Sequence, residues 1–148
     1  VVLRAFNAYG PRQDPNAPYA GVIAKFCSAV AAGRGVEIYG DGDQTRDFLY
    51  AADAAEAMEL AGERPVAGQV FNIGSGSATT VTEVARLLSE ITANPVKAVR
   101  KEIRPGDVRH SRADISNAMD KLGFTPKTSL REGIERTLAY HQELAKKT

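Results

Sequence analysis

The chain has no tryptophan, one cysteine, two histidines and almost no excess of either charge. Each scarcity closes a class. With 19 basic and 18 acidic side chains the formal charge is +1, so there is no electrostatic footprint for nucleic acid or an anionic membrane. Cys27 stands alone, which excludes an internal disulfide framework and fits a reducing compartment. It sits in the apolar stretch 22–30, where a small buried residue is the expected role. His110 and His141 lack ligand spacing with Cys or carboxylates. The turn Asp41-Gly42-Asp43 lacks the remaining positions of a calcium loop. No metal site is expected. No apolar run approaches the roughly 20 residues of a membrane span and no signal peptide is read, so the expected location is cytoplasmic. Nor does any Gly-x-x-Gly-x-x-Gly turn occur, the element that seats a dinucleotide pyrophosphate at a helix N-terminus.

What is present suffices for one core without staples: 148 residues, 43% hydrophobic and 25% charged. A strand is predicted over 1–6, then a polar loop over 7–20 holding Pro11, Pro15 and Pro18, a length typical of binding loops. A helix is predicted over 21–32, with Gly33 ending it. Val36-Glu37-Ile38-Tyr39 and Arg46-Asp47-Phe48-Leu49-Tyr50 alternate like strands and flank an Asp-Gly turn, which predicts a hairpin. An Ala-rich helix follows over 53–63 and a strand over 69–72. Thr80-x-x-Glu83 and Ser129-x-x-Glu132 are capping boxes, each opening an amphipathic helix. An edge strand over 96–101 and a short helix over 116–122 stopped by Gly123 complete the reading.

Four segments carry chemistry: Arg4-Ala5-Phe6-Asn7-Ala8-Tyr9-Gly10-Pro11-Arg12-Gln13, Tyr39-Gly40-Asp41-Gly42-Asp43-Gln44-Thr45-Arg46-Asp47-Phe48, Phe71-Asn72-Ile73-Gly74-Ser75-Gly76 and Arg104-Pro105-Gly106-Asp107-Val108-Arg109. Arg46 is a planar, permanently charged fork suited to gripping a phosphate with two parallel hydrogen bonds. Arg104 stands beside a rigid Pro105 and a free Gly106, as a preorganised contact would. Asn7 ends a strand, where side chains emerge at the crevice of open α/β sheets.

In this order and spacing the four segments resemble the C-terminal part of the extended short-chain dehydrogenase/reductases acting on nucleotide sugars. UDP-glucose 4-epimerases are most similar, with dTDP-glucose 4,6-dehydratases next. The resemblance implies an α/β fold: a C-terminal substrate-binding domain over 1–148, with 1–6 a residual strand of a Rossmann domain whose dinucleotide-binding half is lacking. It implies that Asn7, Arg46 and Arg104 contact the substrate diphosphate, with Arg109 a weaker phosphate candidate. Asp107 would accept from ribose hydroxyls, Tyr39 would flank the pyrimidine, and Asn72 matches a substrate-side position of dehydratase-like members. Phe6 would lie on the nicotinamide side of the cofactor. NAD is the family's cofactor and a UDP- or dTDP-sugar its substrate.

The family's catalytic Tyr-x-x-x-Lys pair is absent. Tyr9, Tyr19, Tyr39, Tyr50 and Tyr140 are followed four residues on by Gln13, Ile23, Asp43, Ala54 and Leu144. The expectation is therefore no catalytic residue, no NAD bound by this chain alone and no turnover. An NAD-dependent UDP-hexose 4-epimerase is the whole-protein reading. A 4,6-dehydratase, a decarboxylase, or an autonomous or inactive sugar-nucleotide-binding fragment are its alternatives. Strand 1–6 is expected to lack its partners and to draw the chain into a symmetric homodimer.

Overall fold

The two capping boxes open helices as expected. In a computed structural model describing residues 1–147, the Thr80 hydroxyl accepts from the Glu83 N–H at 3.0 Å, opening α3 (Val81–Thr92). The Ser129 hydroxyl accepts from the Glu132 N–H at 3.2 Å, opening α5 (Leu130–Ala145). In both, the glutamate turns to an arginine on its own helix, Arg86 or Arg136, rather than back to the cap. Helices α1 (Val22–Ala31), α2 (Ala51–Glu63) and α4 (Ser116–Leu122) occupy the other predicted spans. Gly33 and Gly123 follow α1 and α4 with positive φ, which glycine adopts without steric cost.

The strands pair in ways that local pattern does not announce. β1 (Val2–Ala5) runs parallel to β6 (Val70–Ile73), with Val2 opposite Val70. The predicted isolation of strand 1–6 is thus corrected: one edge is satisfied within the chain. The hairpin is corrected too. β3 (Val36–Tyr39) pairs in parallel with β8 (Ala98–Lys101), not with the segment after the turn. β4 (Thr45–Arg46) pairs antiparallel with β7 (Thr79–Thr80). β2 (Ala8–Tyr9) lies parallel to β5 (Leu49–Tyr50). The turn retains the required geometry, with φ of 70° at Gly40 and 80° at Gly42. It redirects the chain to a different partner instead of doubling it back.

Two apolar clusters form the interior. One joins α1, α3, α5 and β3 through Ile23, Phe26, Ile38, Leu88 and Ile134. The other joins α2, α4 and β6 through Ala57, Phe71, Ile73, Leu122 and Phe124. Tyr9 keys the first cluster to α5. Its hydroxyl donates to the Leu130 carbonyl at 3.3 Å, and it occupies the space a Cβ at Gly133 would need. Burial raises the pKa of this hydroxyl, so it stays a donor.

Candidate functional site

An open cleft of about 770 Å³ lies at the ends of β1 and β3, walled by α1 and the 102–109 loop. Asn7, Tyr39, Arg46, Arg104 and Asp107 all line it. Residues up to 100 positions apart converge here: Asn7 follows β1, Tyr39 ends β3, Arg46 ends β4, and Arg104 and Asp107 follow β8. Two of the expected site residues lie elsewhere. Asn72, on β6, donates to the Asp114 carbonyl at 3.4 Å and does not reach the cleft. Phe6 is half-buried beyond β1 and is not in the lining; its N–H donates to the Ile73 carbonyl at 2.8 Å.

Arg46 is well enclosed, with its side chain 17% exposed. It pairs with the Asp107 carboxylate and donates to the Thr45 carbonyl at 2.8 Å and to the Val108 carbonyl. Arg104 lies over the Tyr39 ring, 3.7 Å from its centroid, a cation–π contact. One face of Tyr39 is therefore already covered. Arg109 turns from the cleft to Asp41, Nη1 to Oδ1 at 2.7 Å. This hydrogen bond lowers the Asp41 pKa to about 2 and raises that of Arg109.

Sequence reading missed three contributors. Lys25 and Arg34 line the cleft from α1 and its exit, so four cations face two carboxylates, Glu37 and Asp107. That excess favours a polyanionic ligand. Gln44, 8% exposed, donates to the Tyr39 carbonyl at 2.9 Å and braces the turn. The helical spacing of Lys25 was legible but carried no sign of its wall position.

The site holds no reacting pair among the described residues. Cys27 is fully buried, and desolvation pushes its thiol up to about 12, which leaves it unreactive. His110 meets the Thr45 hydroxyl, Nδ1 to Oγ1 at 3.2 Å. No group of three or more metal-binding side chains occurs among the described residues. No helix among them is long and apolar enough to cross a membrane.

The turn at the end of β6 does not fit a dinucleotide pyrophosphate. In the glycine turn after β6, Gly74-Ser75-Gly76, the N–H groups of Ser75 and Gly76 donate to Asp47 at 2.6 and 3.0 Å. A Cβ at Gly74 would stand 2.6 Å from the Ala113 Cβ and 2.8 Å from Asp47 Oδ2. These glycines admit a protein carboxylate, not a pyrophosphate.

The family described as GDP-mannose 4,6 dehydratase matches residues 1–137. The chain is 40% identical over 134 residues to UDP-glucose 4-epimerase of Mycolicibacterium smegmatis, covering 90% of this chain and 42% of that protein. It is 38% identical over 135 residues to dTDP-L-rhamnose 4-epimerase of Burkholderia thailandensis, covering 90% and 37%. A crystal structure of UDP-glucose 4-epimerase with UDP-glucose from Thermotoga maritima superposes with a TM-score of 0.91 at 45% identity, covering 97% of this chain and 46% of that one. Other relatives are named as decarboxylases and 4,6-dehydratases. The chain spans less than half the length of these relatives. On sequence and fold together, the chain belongs to the NAD-dependent nucleotide-sugar epimerase/dehydratase family.

Proposed function

We propose that this chain is the substrate-gripping portion of an NAD-dependent UDP-hexose 4-epimerase, holding the diphosphate and nucleoside of a UDP-sugar. The observation that carries the reading is the convergence of Asn7, Arg46 and Arg104 on one cleft with a cationic excess. Two guanidinium groups offset the roughly two negative charges of a diphosphate and orient it through forked donors. Asn7 adds donors without charge. Asp107, on the Arg46 side, is the acceptor for ribose hydroxyls, and Tyr39 flanks the base. Such remote contacts supply binding energy that positions the sugar for reaction. In the complete enzyme, NAD supplies hydride chemistry at the sugar. On this reading the chain alone has no turnover.

Calorimetric titration with UDP and with uridine tests this. UDP should bind more tightly than uridine. Arg46→Ala and Arg104→Ala should each cost about 1.5–3 kcal/mol of UDP binding and less of uridine binding. Equal affinity for the two ligands, or no loss in either variant, rejects the phosphate assignment. A dehydratase or decarboxylase reading is favoured by the relatives that carry those names. It uses the same grip and differs only in chemistry on the sugar. We extend the reading to a homodimer formed along strand β1, whose outer edge pairs with no other strand among the described residues.

A further inference from the structure

We infer that Asp47 is a positioning residue that sets the diphosphate grip from behind the cleft, an assignment that rests on the proposed function. Asp47 is fully buried and absent from the cleft lining. Its carboxylate accepts four hydrogen bonds: from Ser75 N at 2.6 Å, Ser75 Oγ at 2.7 Å, Gly76 N at 3.0 Å and Ala113 N at 3.0 Å. No cation pairs with it among the described residues. Burial of a carboxylate without a cation is tolerated only when its oxygens are satisfied this fully.

The consequence for the site lies in what is joined. Side chains alternate across an extended segment, so Arg46 enters the cleft while Asp47 turns away into the interior. The Asp47 carbonyl accepts from Asn7 Nδ2 at 2.9 Å, orienting an amide held at an unusual φ of 33°. The loop that carries Arg104 and Asp107 returns alongside the same segment. Thr45 N donates to the Arg109 carbonyl at 2.9 Å and Ser111 N to the Thr45 carbonyl at 3.2 Å. The bond from Ala113 to Asp47 continues that line. The Asp47 carboxylate thus ties its own backbone, and the chain leaving the 102–109 loop, to the turn at Gly74, while its carbonyl holds the amide of Asn7.

Asp47→Asn keeps the shape and presents an NH₂ group to donors, so the ties break without a cavity. Titrations of the 148-residue chain with UDP and with uridine, alongside circular dichroism, test the assignment. In Asp47→Asn, UDP affinity should fall about tenfold or more, and uridine affinity by a smaller factor. A role confined to folding would lower both affinities by the same factor, along with the melting temperature, and would overturn the inference. Ser75→Ala, which removes one donor, should lower UDP affinity about threefold, and uridine affinity by a smaller factor. If Asp47→Asn fails to fold, Ser75→Ala decides: no selective loss overturns the assignment. A UDP preference retained in a folded Asp47→Asn overturns it alone. Equal affinities in the unaltered chain overturn the cleft reading, and this assignment with it.

Discussion

The two apolar clusters are built on different terms. The cluster around α1, α3 and α5 closes on itself, because each helix finds a partner face and β3 supplies Val36 and Ile38 from beneath. The cluster around α2, α4 and β6 rests on a two-stranded parallel ribbon. Three of the four β1 residues are exposed, and Val2 and Val70 remain 53% and 42% accessible. Parallel sheets are ordinarily covered on both faces, and ribbons of two strands are marginal. The cleft draws on both regions: Asn7 follows the ribbon, whereas Tyr39 ends a strand of the closed cluster. Half the site therefore stands on firm ground, and half depends on the less enclosed layer.

The largest test of this contrast is Phe71→Ala, which empties the centre of the second cluster and should cost about 3–5 kcal/mol in urea unfolding. Hydrogen exchange sharpens it. Amides of β1 and β6 should open below the global unfolding free energy, while those of α3 exchange only on global unfolding. Equal protection in the two regions breaks the comparison.

A smaller effect sits in the closed cluster's own helix. His141 on α5 is 4% exposed, and its Nε2 has no hydrogen-bond partner among the described residues. Desolvation lowers its pKa below the ordinary 6.5. The unfolded chain then binds the proton first as pH falls, so the folded state loses stability below 6.5 and keeps it above. Unfolding of the wild type and His141→Leu across pH 5–8, roughly the histidine range, should show an acid-side loss only in the former. Parallel curves would refute the account. The smallest effect concerns the open edge of β1. Light scattering should find weak self-association that disappears when residues 1–6 are removed. A monomer at the outset, or an oligomer unchanged by the deletion, refutes pairing through that edge.

The helices were legible because their signals are local: a capping hydroxyl three residues from a glutamate, apolar residues at helical spacing, glycine at the exit. The pairing of strands was not. Val36–Tyr39 and its partner Ala98–Lys101 lie about 60 residues apart, and the positive φ of Gly42 is the same whether a chain doubles back or turns away. The site was legible as a set of residue types. Five of the six expected substrate contacts share the cleft, while Asn72 follows the alternation of its strand to Asp114. Asp47 was invisible in this respect, since its partners lie 28, 29 and 66 residues away and nothing in Arg-Asp-Phe declares a buried carboxylate.

The missing Cβ at Gly133 works as a keyhole. Tyr9 enters it and meets the Leu130 carbonyl one turn earlier on the same face of α5. Both contacts form at one rotation and one height only. Turning the helix by a single residue, about 100°, would bring a side chain against the hydroxyl and carry Arg136 off the Tyr50 ring, now 5.8 Å away. The longest helix is thus indexed to the strand pair that begins one residue after Asn7. Its lateral position is read from the sheet by a single phenol, and a methyl group at 133 would reset that reading for the cleft as well.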